Sequence, residues 1–209
     1  MARTRTLLPA LLALGLAACT STTEPQASSL SYQDPAGSGW RLVQAPGSTP
    51  QRLLLDLVGP AGLPSRGAGF NLRAPAAVRF RAFEETGFPV RDHGVWALLN
   101  SEPEGGVNDP LEPRLLAGGV KAGNLLTVGA FQKDRRSPAK ESGQPLLQIA
   151  LELDPAAGAA SGAVLGLSIE KARHMAEDIG PFSIEPTYAM AAKAHLVDMP
   201  IAVGTLVAR

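Results

Sequence analysis

The chain has 209 residues, 45% hydrophobic and 18% charged, enough apolar side chain for one domain with a packed core and too much for disorder throughout. Its 19 basic residues balance 19 acidic ones, which excludes the concentrated basic face that nucleic acid requires. Cys19 is the only cysteine, so a disulfide within the chain and a multi-thiolate metal site are excluded as well.

Taken in chain order, the first element is a signal. Arg3 and Arg5 open it, Leu7 to Leu16 is almost wholly apolar, and Leu16-Ala17-Ala18-Cys19 closes it. A basic start, an apolar run of roughly 7–15 residues and a small-residue cleavage site together define a secretory signal peptide. The run is too short to cross about 30 Å of hydrocarbon. Leu-Ala-Ala-Cys closely resembles the lipobox of bacterial lipoproteins. That resemblance implies a signal peptide over 1–18, diacylglyceryl modification of the Cys19 thiol, and acylation of the new amino terminus. One acyl chain binds a bilayer only marginally, whereas two or three hold it lastingly. The implied partner of this end is therefore the membrane itself. Thr20 and Ser21 follow, without the aspartate that retains members of that family at the inner membrane, which implies the outer membrane. Loss of 18 from 209 residues leaves 191, with 17 basic against 19 acidic side chains.

Residues 19–39 are rich in Ser, Thr, Pro and Gly, the composition of a flexible tether. A domain over 40–209 is expected to follow. Gln51 to Val58 is an apolar run ended by Gly59-Pro60, Phe70 and Leu72 alternate with Asn71 and Arg73, and Val78, Phe80 and Ala82 alternate with Arg79 and Arg81. Period two marks half-buried strands. The same alternation recurs in Leu147, Ile149, Leu151 and Leu153, and again in Ala163, Leu165, Leu167 and Ile169. Asn124 to Phe131 and Ile201 to Val207 read as further strands. With 22 Gly and 18 Pro as punctuation, the expected fold class is all-β, an antiparallel two-sheet β-sandwich. Glu170 to Asp178 and Thr187 to His195 are rich in Ala, Lys, Glu and Met and predict one or two short helices. Glu102 to Pro113, Lys133 to Gln144 and Asp154 to Gly162 read as loops or connections.

The order of these strands, Leu53 to Leu57, Gly67 to Leu72 with Pro75 after it, Val78 to Phe80, Asn124 to Phe131, Pro145 to Leu153 and Gly162 to Ile169, is similar to that of cohesin domains and related carbohydrate-binding modules. The resemblance spans roughly Gln51 to Val207 and implies a jelly-roll sandwich that binds protein or carbohydrate and is not an enzyme. The chain lacks an Asp-rich calcium loop, so a cellulosomal role does not carry over.

Motifs for chemistry are sparse. His93, His174 and His195 share no metal-ligand spacing, so neither metal nor other cofactor is expected. There is no Gly-x-Ser-x-Gly elbow; Ser38 lies between two glycines as a turn residue. Leu116 to Gly123 lacks the Gly-Lys-Ser/Thr ending of a phosphate cradle and reads as turns. Glu84-Glu85 and Glu102 with Glu104 are carboxylate pairs of the kind glycoside hydrolysis uses across a cleft, although solvated loops account for them equally. Sugar stacking would fall to Trp40, Trp96, Tyr32 or Tyr188, with core packing the simpler role for Trp96. Lys133, Arg135, Arg136 and Lys140 form a basic loop interrupted by Asp134 and Glu141. The expectation is a lipid-anchored envelope protein whose sandwich binds protein or glycan. A structural component of an envelope complex is the alternative, and a hydrolase with an unfamiliar site the third.

Overall fold

The computed structural model describes residues 25–85, 87–98, 119–132, 138–176 and 196–209. Fifteen strands follow one another: β1 (Leu30–Gln33), β2 (Arg41–Gln44), β3 (Leu53–Val58), β4 (Pro64–Arg73), β5 (Val78–Phe80), β6 (Val90–Asp92), β7 (Ala97–Leu98), β8 (Gly119–Lys121), β9 (Leu125–Phe131), β10 (Lys140–Glu141), β11 (Pro145–Leu153), β12 (Val164–Leu165), β13 (Ser168–Ala176), β14 (Leu196–Asp198) and β15 (Thr205–Ala208). All strand pairs are antiparallel. The protein is an all-β sandwich, and no helix occurs among the described residues.

One layer has the order β14-β13-β4-β9-β7, with β8 on β9 and β10 on β4; the other has β2-β3-β11-β5, with β6 on β11. A third sheet, β1-β15-β12, joins the edge of β2 through Ala202. The Leu42 N–H donates to the Ala202 carbonyl at 2.9 Å, and the Ala202 N–H to the Trp40 carbonyl at 2.8 Å. The core lies between the layers. Leu53, Leu55, Leu57, Leu147, Ile149 and Leu151 enter from one side, and Ala68, Phe70, Leu72, Leu126 and Val128 from the other. Alternation along each strand sends these side chains inward.

Three expectations are corrected. The helix expected over Glu170 to Asp178 is strand as far as Ala176. Lys171 has φ 50°, and the register on β4 shifts between Glu170 and Arg173. This bulge inserts a residue and flips the parity, so Ile169, Ala172 and His174 face the core. That spacing no longer reads as period two. Thr187 to His195 lies outside the described residues. Second, the single strand read over Ala163 to Ile169 is two. β12 pairs with β15 and β13 with β4, and the chain changes sheet at Gly166. Leu165, Leu167 and Ile169 still all pack on the core, which is why one period runs through both. Third, the tether expected over 19–39 is folded from Gln26 onward. Gln26 bridges Ala160, and β1 pairs with β15. Ser, Thr and Pro composition could not reveal that Leu30 and Tyr32 are core residues. Within the loops, Lys140–Glu141 and Gly119–Lys121 are short edge pairings. Glu102 to Pro113 lies outside the described residues.

Tyr32 fastens the third sheet to the second. Its hydroxyl donates to the Leu42 carbonyl at 3.0 Å and accepts the Gly204 N–H at 2.6 Å. Burial pushes the phenol up to about 12, partly opposed by the Gly204 N–H, with Asp34 adding to the rise. Glycine is required at 204, because a Cβ there would collide with the Gln33 carbonyl and lie 2.8 Å from the Tyr32 ring. Tyr32→Phe leaves a donor and an acceptor unpaired and should cost about 1–3 kcal/mol. A urea midpoint shift at unchanged slope would register this, and an unchanged midpoint would refute it.

Candidate interaction face

The five-stranded sheet carries an unusual outer face. An antiparallel sandwich ordinarily leaves such a face polar and open to water, yet β3 is buried at all six positions. The cover comes from a broken edge strand. β5 and β6 both pair with β11, through Phe80 opposite Leu151 and Val90 opposite Ile149. Between them the chain crosses the face and sets Phe83 against Ala45, Leu54 and Ala150 in a small second core. The Arg52 and Arg91 guanidiniums each lie 4.6 Å from the Phe83 ring centroid, within cation–π range.

Beside this aromatic platform runs a chain of polar contacts. Asp56, 3% exposed, accepts the Gln148 side-chain amide at 2.9 Å and lies 2.9 Å from His93 Nε2. Gln148 Oε1 in turn accepts Arg91 Nε at 3.1 Å and Arg91 Nη2 at 2.7 Å. Arg91 Nη1 donates to Glu85 at 2.8 Å. The Glu85 carboxyl is held below the usual carboxylate range, first by its own backbone N–H and then by Arg91. Further along, Glu152 takes Arg79 as a hydrogen-bonded partner, with Arg81 at 3.9 Å. Arg52 differs from the others: its Nε and Nη2 are buried with no hydrogen-bond acceptor. Four arginines thus ring one face: Arg79 and Arg81 beside Glu152, Arg91 on Gln148 and Glu85, and Arg52 on the Phe83 ring with the Glu85 charge near it.

An aspartate–imidazole pair is half of a hydrolytic triad. Among the described residues no hydroxyl hydrogen-bonds His93, whose contact is with Asp56 at 2.9 Å. No group of three His, Cys, Asp or Glu side chains converges as a metal set would, among the described residues.

The residues singled out from sequence fall elsewhere. Trp40 and Trp96 are core, with centroids 6.5 Å apart, and His174 lies 5.4 Å from Trp40. Tyr32 is core as well, so none of these three rings is presented for sugar stacking. Glu85 is the partner of Arg91, and Glu84 is exposed. Ser38 is an exposed bend residue and Lys140 an exposed edge residue. Cys19, Glu102, Glu104, Lys133, Arg135, Arg136, Tyr188 and His195 lie outside the described residues. His93 and Glu85 are the two among them that join the face. Asp56, Gln148, Phe83, Arg52 and Arg91 escaped sequence reasoning, although a signal existed. Asp56 interrupts Leu-Leu-Leu-Asp-Leu-Val and Gln148 interrupts Leu-Leu-Gln-Ile-Ala-Leu. Period two puts both on the outer face, and polar residues inside apolar runs ask for partners.

The fold defines a β-sandwich domain. No protein-family model matches the chain, and no curated protein matches it. Among solved structures, the sixth cohesin of scaffoldin B from Acetivibrio cellulolyticus, crystallised with a mutant Cel5 dockerin, is similar with a TM-score of 0.45 at 9% identity; the match covers 79% of this chain and 96% of that one.

Proposed function

We propose that this protein is a lipoprotein of the bacterial envelope, anchored through acylated Cys19 and facing the periplasm or cell surface from the outer membrane. Its sandwich is a non-catalytic binding module, and its ligand is a protein that docks on the arginine-ringed face of the five-stranded sheet. The observation that carries this reading is Arg52, a guanidinium stacked on Phe83 with two buried nitrogens lacking an acceptor. Burying such donors unpaired is costly, and a partner carboxylate meeting this face offsets the cost through its attraction for the guanidinium charge, not by bonding these two buried nitrogens. Arginine and aromatic side chains are the residues enriched where protein interfaces concentrate their binding energy. Protein is favoured over glycan because Trp40, Trp96 and Tyr32 serve the core.

Capture from detergent-solubilised envelope tests the proposal, with wild type compared against Arg52→Glu/Arg81→Glu. Arg81 is 56% exposed and only distantly paired with Glu152, whereas Arg52 packs on Phe83, so a cooperative urea transition of the variant is the accompanying check that it is folded. Retained partner should fall by about tenfold or more, and capture by the wild type should weaken as salt is raised. Equal capture by both proteins would refute the assigned face. Specific retention on a glycan array with no protein captured would overturn the choice of ligand class. Acyl mass on the amino-terminal peptide, absent from Cys19→Ser, tests the anchor.

A further inference from the structure

We infer that the domain is held directly against the bilayer by one particular pole, the one formed by Pro25 to Ser29, the connection from β11 to β12, and the carboxy terminus. The inference rests on the proposed anchoring at Cys19 and goes beyond it by fixing distance and orientation. Composition alone suggested a spacer over 19–39, which could span about 70 Å at roughly 3.5 Å per residue. The fold removes most of that length. The Ser161 N–H donates to the Pro25 carbonyl at 3.0 Å, and the Ala27 N–H to the Ala159 carbonyl at 2.9 Å. The Ser28 and Ser29 N–H groups both donate to the Arg209 carbonyl, at 2.7 and 3.0 Å, and the Arg209 N–H returns to Ser29 at 2.8 Å. The chain is therefore clamped from Pro25 onward. Six residue steps separate Cys19 from Pro25, a reach of about 20–22 Å even when fully extended. Covalent geometry sets that ceiling whatever path residues 20–24 take.

The pole suits such proximity. The connection reads Asp154-Pro-Ala-Ala-Gly-Ala-Ala-Ser-Gly162; the side chains of Asp154 and Arg209 give this pole one charge of each sign, and it has no large apolar side chain to insert into a headgroup layer. Contact is by apposition, and the acyl chains supply the holding energy. β11 runs into this pole at its Leu153 end. The sheet faces therefore stand upright beside the membrane, which leaves the arginine-ringed face open to a partner approaching laterally.

Because Cys19 is the only cysteine and would be blocked by acylation, a second cysteine can be labelled alone. Ser161→Cys marks the pole, and Gln144→Cys marks the opposite end of β11, about 30 Å away along nine residues. Both positions are exposed. Each full-length protein, purified with its signal processed, would carry a donor fluorophore. It would then be reconstituted into phosphatidylethanolamine/phosphatidylglycerol vesicles containing an acceptor-labelled lipid. Donor quenching should be at least twofold stronger at 161 than at 144. Insertion of twenty Gly/Ser residues between Glu24 and Pro25 should abolish the difference. Equal quenching at the two positions in protein whose Cys19 is acylated by mass spectrometry would overturn the assigned pole while leaving the anchor intact. An unacylated Cys19 would remove the anchor and the orientation together.

Discussion

Trp40→Ala should lower unfolding stability by about 3–5 kcal/mol, the cost of emptying a large aromatic site in a packed core. Trp40 is 5% exposed, lies directly before β2, and packs on Trp96 and His174. It therefore spans the two layers, since Trp96 lies directly before β7 and His174 belongs to β13, both in the opposite sheet. Its surroundings cannot close readily over the void. Gly59 already approaches so closely that a Cβ there would lie 2.9 Å from Trp40 and 2.5 Å from Ser142 Oγ. The Trp40 carbonyl also receives Ala202, the link to the third sheet, so displacement of this residue loosens two junctions at once. Denaturant unfolding of the variant measures the loss. A change below about 1 kcal/mol would show that this ring does not join the layers. Trp40→Phe, keeping an aromatic ring, should recover a substantial part of the stability.

Stability should also fall as pH drops below about 6.5, and His174 is the group responsible. Its ring is buried against Trp40 with Nδ1 lacking a hydrogen-bond partner. Burial disfavours the imidazolium and lowers the pKa from the ordinary value of 6.5. The unfolded chain therefore binds more protons than the folded one between the depressed pKa and 6.5. Unfolding free energy rises with pH across that window. The full contribution is present above about pH 6.5 and is lost as pH falls toward the folded value, at a slope of up to about 1.4 kcal/mol per pH unit. Arg173 and Asp198, the charged neighbours along β13 and β14, are paired with each other on the exposed side. His93 and His195 lie away from this contact or outside the described residues, so the measurement is a difference. His174→Phe keeps a ring beside Trp40 and cannot ionise. Between pH 8 and 5 the wild type should lose more stability than the variant. At pH 8 the variant should be nearly as stable as wild type or more so, since a buried nitrogen without a partner has been removed. Parallel pH profiles would refute this assignment.

Both predictions concern residues whose types were visible in the sequence while their neighbours were not. Trp96 was readable as core from Gly94-Val-Trp-Ala-Leu-Leu, and β3, β4, β9 and β11 followed from runs such as Leu53 to Val58 and Leu147 to Leu153. Burial of one sheet face imposes period two locally, so it is written in adjacent residues. His174 could not be read in this way. The bulge at Lys171 moves it inward, and a bulge depends on the partner strand β4. The arginine-ringed face was equally hidden, because it gathers residues 52, 56, 83, 91 and 148 across four separate stretches of chain.

By itself, the sequence determined the all-β class, the positions of the long central strands and the alternation that builds the main core, because each of these is a short-range consequence of which side chains avoid water. Only the tertiary structure decided where the sandwich begins, how Ala163 to Ile169 divides between two sheets, and which polar residues meet on the outer face. Those outcomes depend on hydrogen bonds between segments as distant as Ser29 and Arg209 or Asp56 and Gln148. Pairings at such separation leave no periodic trace in either partner alone.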